Sequence, residues 1–291
     1  MAGGTEAFTA ERERCMILDG HIHIYSGLKD VPGFVARLAE AGIDGGLVMS
    51  VAPPAFPAFA DPTPATARLD EVLAVSRAVP KARLFPFFWI DPMEHDALEQ
   101  VDEAVKRGIA GFKVICHAYY PGDPTAMRVY ARMAEHGRPI LFHSGILADG
   151  RPSSRYNRPA EFECLIDVGG VRFALSHLGW PWCDELIAVY GKMTDAPVCR
   201  PGVRVEMFID TTPGTPRIYR QDAFAKLFAS GCDPANNIFF GSDRGVNDYD
   251  VRGVREQIEA DNSICDALGL DEETRRKMFA DNLLRFIGAA A

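Results

Sequence analysis

No apolar run in this chain approaches the roughly 20 residues that a membrane-spanning helix requires, which argues against helical passage through a bilayer. No cluster of lysine and arginine offsets the formal net charge of -9. Without a basic patch, neither nucleic acid nor an anionic membrane is an expected partner, and a small molecule is the better one. Cysteine occurs 7 times but never as Cys-x-x-C. The odd count, with Cys116 and Cys164 inside apolar runs, speaks against a disulfide framework and for buried thiols in a reducing compartment. Glu11-Arg12-Glu13-Arg14, ahead of the first apolar run, offers no signal-peptide core, so a cytoplasmic protein is expected. A glycine-rich phosphate turn after the first apolar run is also missing, which disfavours a doubly wound dinucleotide-binding sheet.

What remains is an ordinary globular composition, 47% hydrophobic and 24% charged, sufficient for a sizeable core. Strand-like runs fall at 15-24, 45-52, 82-90, 108-116, 138-144, 171-178, 203-211 and 237-243. Between them lie stretches with apolar residues recurring at three and four, at 31-41, 66-79, 94-107, 125-136, 158-168, 182-193 and 220-231, which predict helices. The strand runs are almost continuously apolar, the pattern of a parallel sheet covered on both faces. Eight β-α units predict an α/β fold of the TIM (β/α)8 barrel type, which commonly uses about 250 residues as one domain. Residues 1-14 are then an N-terminal extension and 15-291 a single domain.

Against that background the histidines fall in an informative pattern. Asp19-Gly20-His21-Ile22-His23 follows the apolar run Cys15-Met16-Ile17-Leu18, and side chains at i and i+2 of a strand share a face, so both rings can reach one metal ion. Three later runs also end on a potential ligand: Pro139-Ile140-Leu141-Phe142-His143, Phe173-Ala174-Leu175-Ser176-His177 and Ile238-Phe239-Phe240-Gly241-Ser242-Asp243. In a barrel, sites sit at the C-terminal ends of the strands, where these residues fall.

With the phrases "DGHIH", "GFKV", "ILFHSG", "ALSHLGWPW" and "FGSDRG", the chain resembles the amidohydrolase superfamily. The nearer likeness is to its Amidohydrolase 2 branch, which includes aminocarboxymuconate-semialdehyde decarboxylase, related aromatic-acid decarboxylases and lactone or other hydrolases. The resemblance runs from about residue 15 to about 287, through a terminal helix at 278-286. It implies a distorted TIM barrel, often dimeric, with His21, His23, His143 and Asp243 around one divalent ion and His177 beside the reacting water. Zinc is the expected ion and manganese the alternative. Such an ion with an open position lowers the pKa of its water toward about 7, and Asp243 can both ligate weakly and accept a proton. The expected activity is that of a metal-dependent hydrolase, in which metal-bound water attacks a small ester, lactone or amide, with Asp243 and His177 catalytic. The alternative is a non-oxidative carboxy-lyase acting on an unsaturated or aromatic acid. A barrel that only binds a ligand is a third reading, one that predicts degraded ligand positions, and all five are intact.

Substrate-binding candidates are Lys113, His117, Arg155, Trp180 and Arg244. Lys113 stands where binuclear members of the superfamily carry a carboxylated lysine bridge; the other readings are an ammonium orienting a substrate carboxylate or a buried ion pair. His117 either lines the pocket or is structural. Arg155, with Arg151 and Arg158, follows His143, where a guanidinium can clamp a carboxylate. Arg244 replaces the aromatic residue more usual in the family phrase. Trp89, Trp180 and Trp182 suggest an aromatic wall for a planar organic acid. Asp91 and Asp210 are candidates for fixing histidine tautomers, and the stretches 53-64 and 211-216 are candidate lids.

Overall fold

The computed structural model describes residues 15-78 and 83-289, so the proposed N-terminal extension, 1-14, lies outside the described residues. Eight of its strands are β1 (Leu18–His23), β2 (Gly45–Met49), β3 (Leu84–Trp89), β4 (Gly111–Val114), β5 (Ile140–Phe142), β6 (Val171–Leu175), β7 (Val205–Asp210) and β8 (Ile238–Phe239). A short ninth, β9 (Arg244–Gly245), pairs with β1, giving the parallel order β8-β7-β6-β5-β4-β3-β2-β1-β9. β8 and β9 are two halves of one interrupted strand. The residues between them still bond across the seam: Gly20 N–H donates to the Phe240 carbonyl at 2.9 Å and Asp243 N–H to the His21 carbonyl at 2.9 Å. The fold is the expected distorted TIM barrel, with the distortion concentrated at this seam. Glycine at position 20 is required there, because a Cβ would come within 2.7 Å of the Phe239 ring and 2.8 Å of the Phe240 carbonyl.

Both faces of the strands are buried, for two different reasons. Leu18, Leu47, Phe87, Leu141, Ala174, Phe208 and Phe239 point inward and fill the barrel. Alternate residues such as Ile22, Val48, Phe88, Phe112, Phe142 and Ile209 point outward under the helices. Those helices are α1 (Val31–Ala41), α2 (Ala65–Ala78), α3 (Ala97–Lys106), α4 (Pro124–Glu135), α5 (Cys183–Cys199), α6 (Arg217–Ala229), α7 (Val251–Ala267), α8 (Glu272–Arg276) and α9 (Asn282–Ile287). Local signals start several of them: Asp30 caps the N–H of Gly33, Asp123 that of Thr125 and Asp250 that of Gly253, each supplying an acceptor that the first turn lacks. After a π-helical turn at Lys277–Asp281, α9 plugs the end of the barrel opposite the site, where Phe286 stacks within 5.3 Å of Phe239 and 5.2 Å of Phe208.

Two stretches depart from expectation. Residues 158-168, expected to be α-helical, form a 3-10 helix at Pro159–Asp167. Its buried residues Pro159, Phe162 and Leu165, followed by buried Val168, recur every three, which matches three residues per turn. The long helix α7 carries no clean apolar stripe, because two of its buried positions are Gln257 and Asp261. Asp261 is satisfied by a bidentate pair with buried Arg220 at 2.6 and 2.7 Å. Among the described residues no helix is long and apolar enough to cross a membrane.

Candidate metal centre

The C-terminal ends of the strands surround a cavity of about 320 Å³. β1 contributes His21 and His23, β4 contributes Lys113, and the turns after β5, β6 and β8 contribute His143, His177 and Asp243. Phe59, Trp89, Ile115, Ile146, Leu147 and Trp180 form an apolar wall above this polar floor. Phe56 and Phe59, from the expected lid at 53-64, pack on Trp89 at 5.3 and 5.9 Å between ring centres.

Donor atoms of His21, His23 and Asp243 all lie within 4.8 Å of one another. His21 Nδ1 donates to Asp210 Oδ2 at 2.6 Å. That bond fixes the tautomer and leaves the Nε2 lone pair facing Asp243 Oδ1 at 3.5 Å. His23 Nε2 is 3.2 Å from the same oxygen, its ring stacked on Tyr25. Asp210 is itself held on its other oxygen by the Thr212 N–H and hydroxyl, both at 2.8 Å. Asp210 thus bonds His21 as expected, whereas the one hydrogen bond of the Asp91 carboxylate among the described residues is from the Met93 N–H at 3.0 Å, and none is to a candidate ligand histidine.

Electrostatics agree with ligation. Burial lowers the pKa of His21 to about 4, helped by the Lys113 ammonium. Burial also lowers His23 and His143, so these imidazoles are neutral near pH 7, as metal ligands must be. Burial acts to raise Asp243, but the hydrogen bond from His23 and the field of His21 and His177 outweigh it and hold the carboxyl well below its ordinary range. Two neutral imidazoles and one carboxylate make a donor set that fits a divalent metal ion, and the Nδ1 of His23 is buried without a hydrogen-bond partner among the described residues.

His143 and His177 stand beside this group, their ring centres 4.9 Å apart. His143 lines the cavity but lies outside the three-residue cluster, with its Nε2–H donating to the Ile146 carbonyl at 3.2 Å. His177 Nδ1–H donates to the Pro213 carbonyl at 3.1 Å, leaving Nε2 as its remaining ring nitrogen. The loop 211-216 thus orients a histidine: Thr215 donates to the His177 carbonyl at 2.8 Å, and Gly214 lies so close that a Cβ would meet the ring at 2.9 Å. His177 and Asp243 have φ of 61° and 58°. Non-glycine residues in this left-handed region carry backbone strain, which clusters at functional sites.

Of the five substrate-binding candidates, Lys113 and Trp180 line the cavity; the other three turn away from it. Arg155 is exposed, bonded to the Tyr156 hydroxyl at 2.6 Å and stacked over that ring. Arg244 faces Asp250 at 3.5 Å. His117 packs edge-on against Phe56 and Tyr119. One supporting residue escaped the sequence reading altogether: Asp19, fully buried, accepts from the N–H groups of His21 at 3.0 Å and Ser242 at 2.8 Å and from the hydroxyls of Ser242 at 2.5 Å and Tyr249 at 2.7 Å. Burial outweighs those bonds and raises its pKa to about 6. A carboxylate at a strand position where every residue is buried was the signal available for it.

A family model described as Amidohydrolase matches residues 19–288. No curated protein gives a significant match. Among solved structures, a probable 2-pyrone-4,6-dicarboxylic acid hydrolase from Acinetobacter baumannii, with citric acid bound, is similar with a TM-score of 0.63 and 12% identity, over 94% of this chain and 99% of that one. A 2,6-dihydroxybenzoate decarboxylase from Rhizobium gives 0.61 and 15%, over 94% and 98%. A dihydroorotase from Campylobacter jejuni gives 0.57 and 12%, over 95% and 84%. At these identities the likeness establishes the fold.

Proposed function

Since the chain belongs to the Amidohydrolase family, we propose that it is a metal-dependent hydrolase of a small ester, lactone or amide, with zinc as the ion and manganese as the alternative. The observation that carries this reading is the convergence of His21 Nε2 and His23 Nε2 on one oxygen of Asp243 beneath a cavity of small-molecule size. A divalent ion held by His21, His23 and Asp243, with His143 as a further candidate, supplies Lewis acidity and lowers the pKa of a water toward about 7.

The chain's own groups do the remaining work. Asp243, an ionised carboxylate whose side chain keeps 31% exposure, takes a proton from the attacking water. His177, oriented by the Pro213 carbonyl, presents Nε2 to the same space. It hydrogen-bonds the water or the acyl oxygen as the new C–O bond forms. When the acyl bond to the leaving oxygen or nitrogen breaks, the proton held on Asp243 passes to that leaving group. Trp89 and Trp180 flank the substrate body and keep bulk water from the reacting carbon.

A carboxy-lyase is the second reading, favoured by the aromatic wall and by the likeness to the decarboxylase fold. There Asp243 or His177, first protonated from solvent, delivers that proton to the carbon bearing the carboxylate; the C–C bond to the carboxylate then breaks, its electron pair returns to the carbon skeleton, and carbon dioxide leaves. The test is to load the purified protein with zinc or manganese, count ions by plasma mass spectrometry, and assay lactones, esters, amides and aromatic acids for acid release and for carbon dioxide. About one ion per chain with acid release and no carbon dioxide supports the hydrolase. Carbon dioxide release without water uptake replaces it with the lyase, and a chain that binds no ion refutes both.

A further inference from the structure

The two histidines of β1 are held in different ways. His21 is anchored through polar bonds, its Nδ1 to Asp210 at 2.6 Å and Asp210 in turn to the Thr212 N–H at 2.8 Å. His23 has no such support: its Nδ1 is buried without a hydrogen-bond partner among the described residues. A ligand imidazole has to be turned correctly as well as placed, because its lone pair points in one direction only. Something other than a hydrogen bond must fix this ring.

The surrounding rings supply it. Among the described residues three approach His23: His21 at 5.1 Å and Trp89 at 5.6 Å between centres are tilted by 54° and 57°, whereas Tyr25 at 4.9 Å is tilted by only 15°. The Tyr25 pair alone has the offset-stacked geometry that aromatic rings favour. Its place follows from the strand. The Ile24 N–H still donates to the Met49 carbonyl at 3.0 Å, so the pleat runs on past β1, and Tyr25, two residues beyond His23, falls on the same face. The neighbouring strand leaves room for the ring. Gly245 of β9 pairs with His23, and a Cβ there would come within 3.2 Å of Tyr25 Cδ2 and 3.4 Å of its Cε2. That Cβ would also meet the Asp248 carboxylate, but Asp248 is exposed and can swing aside.

We propose that Tyr25 is a positioning residue for the metal centre: its ring, stacked on His23, sets the plane of that imidazole and hence the direction of Nε2, and residue 245 is glycine so that the ring can lie there. This rests on the reading of His23 as a metal ligand and is independent of the reaction catalysed.

The experiment is the zinc affinity of the purified full chain, by competition with a chromophoric chelator at pH 7, for wild type, Tyr25→Phe, Tyr25→Leu, Gly245→Ala and the double variant Tyr25→Leu/Gly245→Ala. Tyr25→Phe keeps the stack and should bind zinc within about twofold of wild type, whereas Tyr25→Leu should bind about threefold to tenfold more weakly, the range of an aromatic pair. Gly245→Ala leaves the tyrosine in the chain, pushes its ring aside and should weaken binding about as much, so the test survives a misfolded Tyr25→Leu. In the double variant the two losses should not add, because both act through one ring. Tyr25→Leu that binds zinc as tightly as wild type overturns the proposal, even with a lowered urea stability of the metal-free protein, since its role would then be packing alone. Tyr25→Phe as weak as Tyr25→Leu also overturns it, by placing the effect in the hydroxyl, and so do additive losses in the double variant. A wild type that binds no zinc removes the metal reading and this proposal together; zinc bound equally by wild type and Tyr25→Leu removes this proposal alone.

Discussion

Asp210→Asn tests the site at its support, and the structure says which way the new amide must face. Asp210 Oδ1 receives the Thr212 backbone N–H at 2.8 Å, a donor that cannot reverse. The amide oxygen of asparagine must therefore occupy that position, which places its NH2 against His21 Nδ1, where Oδ2 now stands at 2.6 Å. Two donors cannot face each other, so the imidazole proton moves to Nε2, the nitrogen that faces Asp243. A protonated Nε2 cannot ligate. Loss of such a supporting partner costs roughly 10- to 100-fold in metal affinity, or about 1.4–2.7 kcal/mol. Asp210→Ala imposes no tautomer, and Thr212 Oγ1 already lies 3.5 Å from His21 Nδ1 as a substitute acceptor. Asparagine, the closer mimic, should therefore bind zinc more weakly than alanine does. Competition against a chromophoric chelator at pH 7 measures both, with urea denaturation confirming that each variant is folded. If Asp210→Asn binds zinc as tightly as wild type, the tautomer argument fails.

Asp243→Asn should lower turnover by about 100-fold or more while changing substrate affinity by less than about threefold, because it removes the proton acceptor and keeps the shape; an unchanged kcat refutes that role. Gly214→Ala should drive the loop off the His177 ring, given a Cβ approach of 2.9 Å, and cut kcat by about tenfold to 100-fold with zinc content intact; full activity would show that the loop does not position His177. In chelator-stripped protein the His21 pKa is lowered from 6.5 to about 4. The unfolded chain then takes up the proton first, so stability falls as pH drops from about 6.5 to about 4, by on the order of 3 kcal/mol from this group. Urea denaturation of His21→Asn should lack that component, and parallel pH profiles for the two proteins would exclude it.

The parts of this site that were legible are those where period and position coincide. His21 and His23 sit two apart on a strand that has to end at the barrel mouth, so their convergence followed from pleat geometry. His143, His177 and Asp243 were placed at the mouth by the same strand-end logic, but whether a nitrogen points at the ion depends on turns whose shape a sequence does not display. His143 illustrates this, since a carbonyl three residues on, Ile146, engages its Nε2. The arginines misled because adjacency in a loop says where backbone runs and not where a long side chain finds its partner; Arg155 found Tyr156 and Arg244 found Asp250. Helix α7 was obscured by polar residues doing a core residue's job, with Gln257 donating to the Gly241 carbonyl at 2.8 Å and Asp261 clasping Arg220. The interrupted eighth strand was hidden for a related reason: Phe239-Phe240-Gly241-Ser242-Asp243 reads as one strand end, but β8 stops at Phe239, the Phe240 N–H turns to the Met278 carbonyl at 2.9 Å, and Asp243 has a φ of 58°.

The seam between β1 and that interrupted strand has a further consequence for how the molecule comes together and apart. Asp19 and Ser242 are 223 positions apart, so the bonds that unite them close almost the whole chain into one loop, at an entropic cost that the other contacts of the barrel offset. The same few ångströms hold His21, His23 and Asp243. The reactive centre is thus complete only when the first and last strands of the barrel are joined. Opening that seam would part His21 and His23 from Asp243, so loss of closure and loss of the centre are one event.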